Sequence, residues 1–167
     1  GLSQWYYGNN ALDAVTEMVY DLPNYPEVPA SLCENPSNLQ HVVFRSDVTA
    51  IGAKALHSLP PHAVVEFWGE SVPTLGSEAL WVTDGGTNDV RAIVKVMNRS
   101  AVPAWKAAIA ENDEVFRSEY KRKKSDYPGA GTIGLLKLGT VTISRVKHDV
   151  YAWVVNDNPD GLTVLIK

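Results

Sequence analysis

The residue with the clearest chemical potential is Arg45, which ends the run Gln40-His41-Val42-Val43-Phe44-Arg45-Ser46-Asp47. An apolar run bounded by polar clusters predicts a buried strand, which places Arg45 at or near its end. A guanidinium in that position has two uses. It can close a structural ion pair, since a buried cation without partners is costly. It can also serve as a fork that grips an anionic ligand, because its planar donors match phosphate geometry. Four histidines (His41, His57, His62 and His148) show no metal-ligand spacing with one another or with helical acids, and are read as structural. Cys33 is the only cysteine, so no internal disulfide and no cysteine-based zinc site can form. No basic residue lies near it in sequence to favour the thiolate, so it is not expected to act as a nucleophile. No glycine-rich phosphate loop is present.

Two further constellations have a chemical reading. Lys121-Arg122-Lys123-Lys124, with Arg117 nearby, is a basic block in an acidic chain. Cations suit a helix C-terminus, and the same block would dock an acidic partner. Ala11 at an early helix start, with His148 on a late strand, resembles the layout of a papain-like cysteine protease. Ala11 stands where that family has its nucleophile, and a chain without the sulfur cannot do the chemistry. Trp5-Tyr6-Tyr7 is read as aromatic packing.

The elements that must position these residues follow from periodicity. Leu12, Val15, Val19 and Leu22 share one helical face, which predicts a helix capped by Asn9 or Asn10 and stopped by Pro23. A proline-rich loop leads to the Arg45 strand, and Thr49 to Leu59 predicts a short helix ended by Pro60-Pro61. His62 to Trp68 and Val90 to Met97 read as strands, and Asp84 to Asn88 as a turn. Pro103 opens a helix through about Glu114 that continues toward Lys124. Strands are expected at Thr132 to Leu138, Val141 to Val146, Val150 to Val155 and Leu162 to Ile166, with turns at Gly139 and Asn156 to Gly161. Early helices and late, turn-linked strands predict an α+β domain with mostly antiparallel pairing and no internal repeat.

At 167 residues the chain is read as one domain, 1–167, large enough for a true core. A formal net charge of −4 argues against a general nucleic-acid binder. No apolar run approaches membrane-spanning length and no signal peptide opens the chain, so a cytoplasmic location is expected.

The order of motifs resembles the arginine–serine–glutamate class of ADP-ribosyltransferases, especially the small phage type. Phe44-Arg45 is similar to that family's first motif. Phe67-Trp68-Gly69-Glu70-Ser71 falls where the family has Phe-x-Ser-x-Ser, and Leu135 to Ile143 fits its late apolar pair and Gly-led turn. The resemblance implies a helical N-terminal part and two packed, mainly antiparallel sheets around a cleft. It implies NAD as cofactor, with Phe44, Arg45 and Ser71 binding it, and Ser71 and Glu70 as catalytic candidates. The product would be an ADP-ribosylated protein target, reached in the cytoplasm after phage delivery. The chain departs from the pattern at Gly69, Gly131 and Ile133, where the family carries a serine and two glutamates. The glutamate missing at Ile133 would stabilise the oxocarbenium-like state, a preorganised electrostatic role. A catalytically inactive relative, acting as a binding or structural (virion) module, is therefore the alternative expectation.

Overall fold

The computed structural model describes residues 15–82, 91–122 and 127–158. Within these the chain is α+β, as expected. The strands are β1 (Glu17–Tyr20), β2 (Glu27–Val28), β3 (His41–Phe44), β4 (Ala50–Ile51), β5 (Val64–Phe67), β6 (Thr74–Leu75), β7 (Ile93–Val96), β8 (Thr132–Ile143) and β9 (Val146–Asn156). The helices are α1 (Val102–Ile109) and α2 (Asp113–Arg122), joined by a 3₁₀ turn over Ala110–Asn112.

The pairing reverses the antiparallel expectation. β1, β3, β5, β7 and β9 form a parallel series, and only β8 runs antiparallel, on β9. β2, β4 and β6 make a second sheet, also parallel. Glu17 to His41 is 24 residues and His41 to Val64 is 23, and the second sheet repeats the step with Glu27, Ala50 and Thr74. A third side is held by parallel bridges Cys33–Leu56 and Leu59–Val82. The chain is thus wound into stacked coils, each contacting mainly its neighbours. The expected absence of a repeat is corrected here. Val48-x-x-Ile51-Gly52-x-x-Ala55-Leu56 recurs as Val72-x-x-Leu75-Gly76-x-x-Ala79-Leu80, one coil later.

Two expected helices are also corrected. Residues 17–20 form strand β1, with Met18 and Tyr20 inward and Val19 outward. Residues 15–16 and 21–22 flank it without helix, and residues 11–14 of that predicted helix, with Ala11, lie outside the described residues. Thr49 to Leu59 contains β4 and tight turns, because its Ile51, Ala55 and Leu56 each drop into the coil interior. Gly139 lies inside β8, not in a turn. A Cβ there would come within 3.1 Å of the Trp81 ring, so glycine permits the strand to pass. The true turn is Ser144-Arg145. The expected strand at 162–166 and the turn at 84–88 lie outside the described residues.

The core runs along the coil axis. Tyr20, Phe44, Phe67 and Trp105 stack in sequence, with ring centroids 5.8, 5.0 and 5.4 Å apart. Each inward position of one strand meets the same position of the next, as parallel register requires. α1 closes the far end of the stack with buried Val102, Trp105 and Ile109, and Pro103 sits in its first turn, as expected. The 3₁₀ turn and α2 then cover the near half of β8. Asn112, itself buried, donates its amide to the Leu135 carbonyl at 2.9 Å and so satisfies part of the sheet edge.

Candidate functional site

The corner that follows β3 and β5 collects most of the residues singled out from sequence. Phe44 pairs with Phe67 in register, so Arg45 and Trp68 leave adjacent strands side by side. Arg45 is exposed, and its guanidinium carbon lies 5.2 Å from the centre of the Trp68 ring. That is a cation–π contact, and of the two uses read from sequence the buried ion pair is not formed. Phe44 is fully buried between Tyr20 and Phe67, so its ring is a core element. Ser71 is held by Asp47, which accepts its backbone N–H at 2.8 Å and its hydroxyl at 2.7 Å. Glu70, between Gly69 and Ser71, is exposed.

The same corner is stitched between coils elsewhere. The Leu22 N–H donates to the Ser46 hydroxyl oxygen at 3.0 Å, and the Asn98 amide donates to the Trp68 carbonyl at 3.2 Å. Gly69 has no room for a side chain, since a Cβ would lie 2.3 Å from Asp47 Oδ1 and 2.6 Å from its Cα. Arg45 and Ser71 are therefore near neighbours on one corner. Their partners there are an indole and a carboxylate of the coil framework.

A second constellation lies on the outward face of the six-stranded sheet. Parallel register aligns Glu17 with His41 and His41 with Val64, and it sets Glu66 beside Val43. His41 Nε2 lies 2.7 Å from Glu66 Oε2, and Nδ1 lies 3.5 Å from Glu17 Oε1. One imidazole thus bridges carboxylates from the strands on either side of it. Lys95 on the next strand reaches Asp157 at 3.0 Å. Aliphatic residues are interleaved with these charges: Val19 is 48% exposed, and Val64 and Ile93 are half-buried. The spacing of His41 and Glu66 carries no recognisable motif, and their meeting depends on the 24- and 23-residue coil step, which the sequence reading did not include.

The other candidates lie apart from both. Cys33 is buried, and burial pushes its thiol up, away from nucleophilic character. His57 faces Glu78 at 3.7 Å, and His148 is exposed on β9 opposite Val141. Lys121 and Arg122 end α2, where Arg122 meets Glu119 at 3.5 Å; Lys123 and Lys124 lie outside the described residues. Ile133 packs against the main core, and the Gly131 carbonyl accepts the Asn156 N–H at 2.8 Å. Among the described residues no group of three or more His, Cys, Asp or Glu side chains is placed to hold a metal ion, and no helix is long and apolar enough to cross a membrane. Comparison of the chain with protein-family models, with curated proteins and with solved structures returned no match.

Proposed function

We propose that the domain is a polypeptide-binding module whose working surface is the outward face of the six-stranded sheet. The observation that carries this is the row Glu17–His41–Glu66 set among Val19, Val64 and Ile93 on parallel strands. Stacked coils characteristically present such extended surfaces. The row is net negative whether or not the imidazole is protonated, and the chain as a whole carries −4. The fitting partner is a segment with aliphatic side chains and lysine or arginine. Complementary charge of this kind sets specificity and association rate more than raw affinity.

The competing proposal is an NAD-using ADP-ribosyltransferase-like domain, with Arg45 on the cofactor phosphates and Ser71 and Glu70 at the ribose. It draws support from the exposed guanidinium of Arg45 beside the Ser71 corner. It asks Phe44 to leave the core stack and Ser71 to exchange Asp47 for a ligand. The sheet face needs no such rearrangement.

One experiment separates the two. A random peptide library is panned on the immobilised chain, and binders are titrated against wild type, Val19→Asp and Glu17→Lys. Both positions are exposed, so the fold should survive. Binders rich in basic and aliphatic residues, weakened by about tenfold or more in each variant, are expected. Binders indifferent to both variants would remove the sheet face from consideration. A rise in melting temperature with NAD, lost in Arg45→Lys, would move the assignment to the transferase reading.

A further inference from the structure

The far half of the β8–β9 hairpin stands away from the body. Residues 142–149 are all exposed, and Ile143 and Val146 are 42% and 55% exposed. Its turn places Ser144 and Arg145 at φ of 50° and 67°, a left-handed pair that glycine or asparagine would adopt more easily. A two-stranded ribbon is marginal in water without a third strand. Yet this ribbon has an aliphatic side, interrupted by His148, and a polar side. Cross-strand partners Val141–His148 and Ile143–Val146 continue the side that begins at buried Val150, while Thr140–Asp149 and Thr142–Lys147 make the polar side.

β8 is the last strand of its sheet. Near its start the edge is covered: Asn112 bonds the Leu135 carbonyl, and the Ile109 side chain lies against Gly134. From Gly139 to Ile143 no strand of the described residues pairs with the open edge. The sequence there is Gly-Thr-Val-Thr-Ile, β-branched, uncharged and free of proline. The segment itself has no lysine or proline of the kind that ordinarily keeps an edge from pairing, and the irregularity in β8 between Lys137 and Gly139 marks where it begins.

We propose that this edge pairs antiparallel with the same segment of a second copy, about a two-fold axis through Val141. The segment is self-complementary in that register. Val141 opposes its own mate, Thr140 opposes Thr142 of the other copy, and Gly139 opposes Ile143. Threonine–threonine pairs are favourable cross-strand neighbours. The two aliphatic faces fall on the same side, so Val141, Ile143 and Val146 of both copies, with His148 among them, line one strip on a four-stranded ribbon. Beyond the segment, the irregularity in β8 between Lys137 and Gly139 and the turn at Ser144-Arg145 end the pairing. The contact is isologous and small, which makes a concentration-dependent dimer the expected product.

Charge exchange at two exposed positions tests the register. Thr140→Lys with Thr142→Lys sets lysines opposite each other across the axis; Thr140→Lys with Thr142→Glu sets lysine opposite glutamate. Sedimentation equilibrium of the wild-type chain should show a reversible dimer. The double-lysine variant should be monomeric at the same concentrations. The lysine–glutamate variant should dimerise about tenfold or more tighter than the double-lysine one. Melting curves confirm that each variant is folded. As a second readout, Val141→Cys should cross-link under mild oxidation much faster than Thr140→Cys, whose mate lies too far along the opposing strand for a disulfide. A wild-type chain monomeric up to about millimolar concentration overturns the proposal. So does a dimer equally stable in both double variants. A monomer that instead accepts an unrelated extended peptide on this edge also overturns it, in favour of strand addition by a partner.

Discussion

Asp47 holds Ser71 of the next coil with both carboxylate oxygens, at 2.8 Å to its backbone N–H and 2.7 Å to its hydroxyl. The carboxylate fills the space beside Gly69 that any Cβ would need. Asp47→Ala should lower stability by about 1 kcal/mol, since the pair is charge-assisted but solvent-exposed. Gly69→Ala should cost more in the presence of Asp47 than in its absence. A double-mutant cycle by urea denaturation measures that difference, and simple additivity would show that the two positions are independent.

Gly52 and Gly76 occupy the same position in consecutive coils. A Cβ on Gly52 would lie 2.4 Å from the Ala30 nitrogen, and one on Gly76 would lie 2.5 Å from the Ala53 nitrogen. The obstacle in each case is the backbone of the preceding coil, which a rotamer change cannot relieve. Gly52→Ala and Gly76→Ala should each destabilise by about 2–3 kcal/mol or more. Thermal melts should fall by roughly 2–4 °C per kcal/mol for a chain of this size. A melt within a degree of wild type for either variant would contradict the close approach.

Arg91 and Glu119 form an ion pair of 2.9 Å with side chains 5% and 12% exposed, and Arg91 also donates to the Tyr151 carbonyl at 3.2 Å. The pair fastens α2 over the aromatic patch where Phe116 and Tyr127 meet Trp153 edge-on. Arg91→Met leaves Glu119 without this counter-charge and should cost about 3–5 kcal/mol. Arg91→Met combined with Glu119→Leu should recover much of the loss, because an apolar pair needs no counter-charge. Tryptophan fluorescence should report the single variant as a change at Trp153.

Burial raises the thiol of Cys33 and the phenol of Tyr20, with Tyr25 adding to the latter; it also raises Tyr151, assisted by Asp149. The unfolded chain therefore releases these protons at lower pH than the folded one. Their contribution to stability is complete below the ordinary thiol range, about pH 8.5, and is lost as pH rises through the raised folded values. Urea midpoints should decline from about pH 8.5 upward, with a shallower slope in Cys33→Ala before the tyrosines engage near pH 10. At the acid end the Thr140 hydroxyl, with Lys137, holds Asp149 below the usual carboxylate range. Its share of stability is present above about pH 3.9 and fades as pH falls further.

The strands best read from sequence were those with a run of large inward residues. β3, β5 and β7 announce themselves through Val42 and Phe44, Val65 and Phe67, Val94 and Val96. β1 was hidden because outward Val19 and loop residue Leu22 happen to share helical spacing with Leu12 and Val15. β2, β4 and β6 are two residues long, too short for any alternation to register. The Gly52 and Gly76 frames held the signal for the coil repeat, but a two-copy match of small and aliphatic residues is faint until register is known. Phe44 and Phe67 were expected on neighbouring strands, and β3 pairs with β5 there, while Ser71 lies four residues past the end of β5. Asp47 and His41 were not singled out as partners, since their contacts span 24 and 25 residues and arise only from coil stacking.

Coils laid one upon another also determine how the molecule would yield to a pull on its ends. The rungs are joined side to side, so tension peels them singly and does not shear a whole sheet at once. Each of the rungs between β1 and β5 frees about 23 residues on release, or roughly 80 Å of extended chain, while giving up only about 5 Å of stack height. The two coils from β1 to β5 would spool out in near-equal lengths, and the aromatic column from Tyr20 to Trp105 would be dismantled one ring at a time.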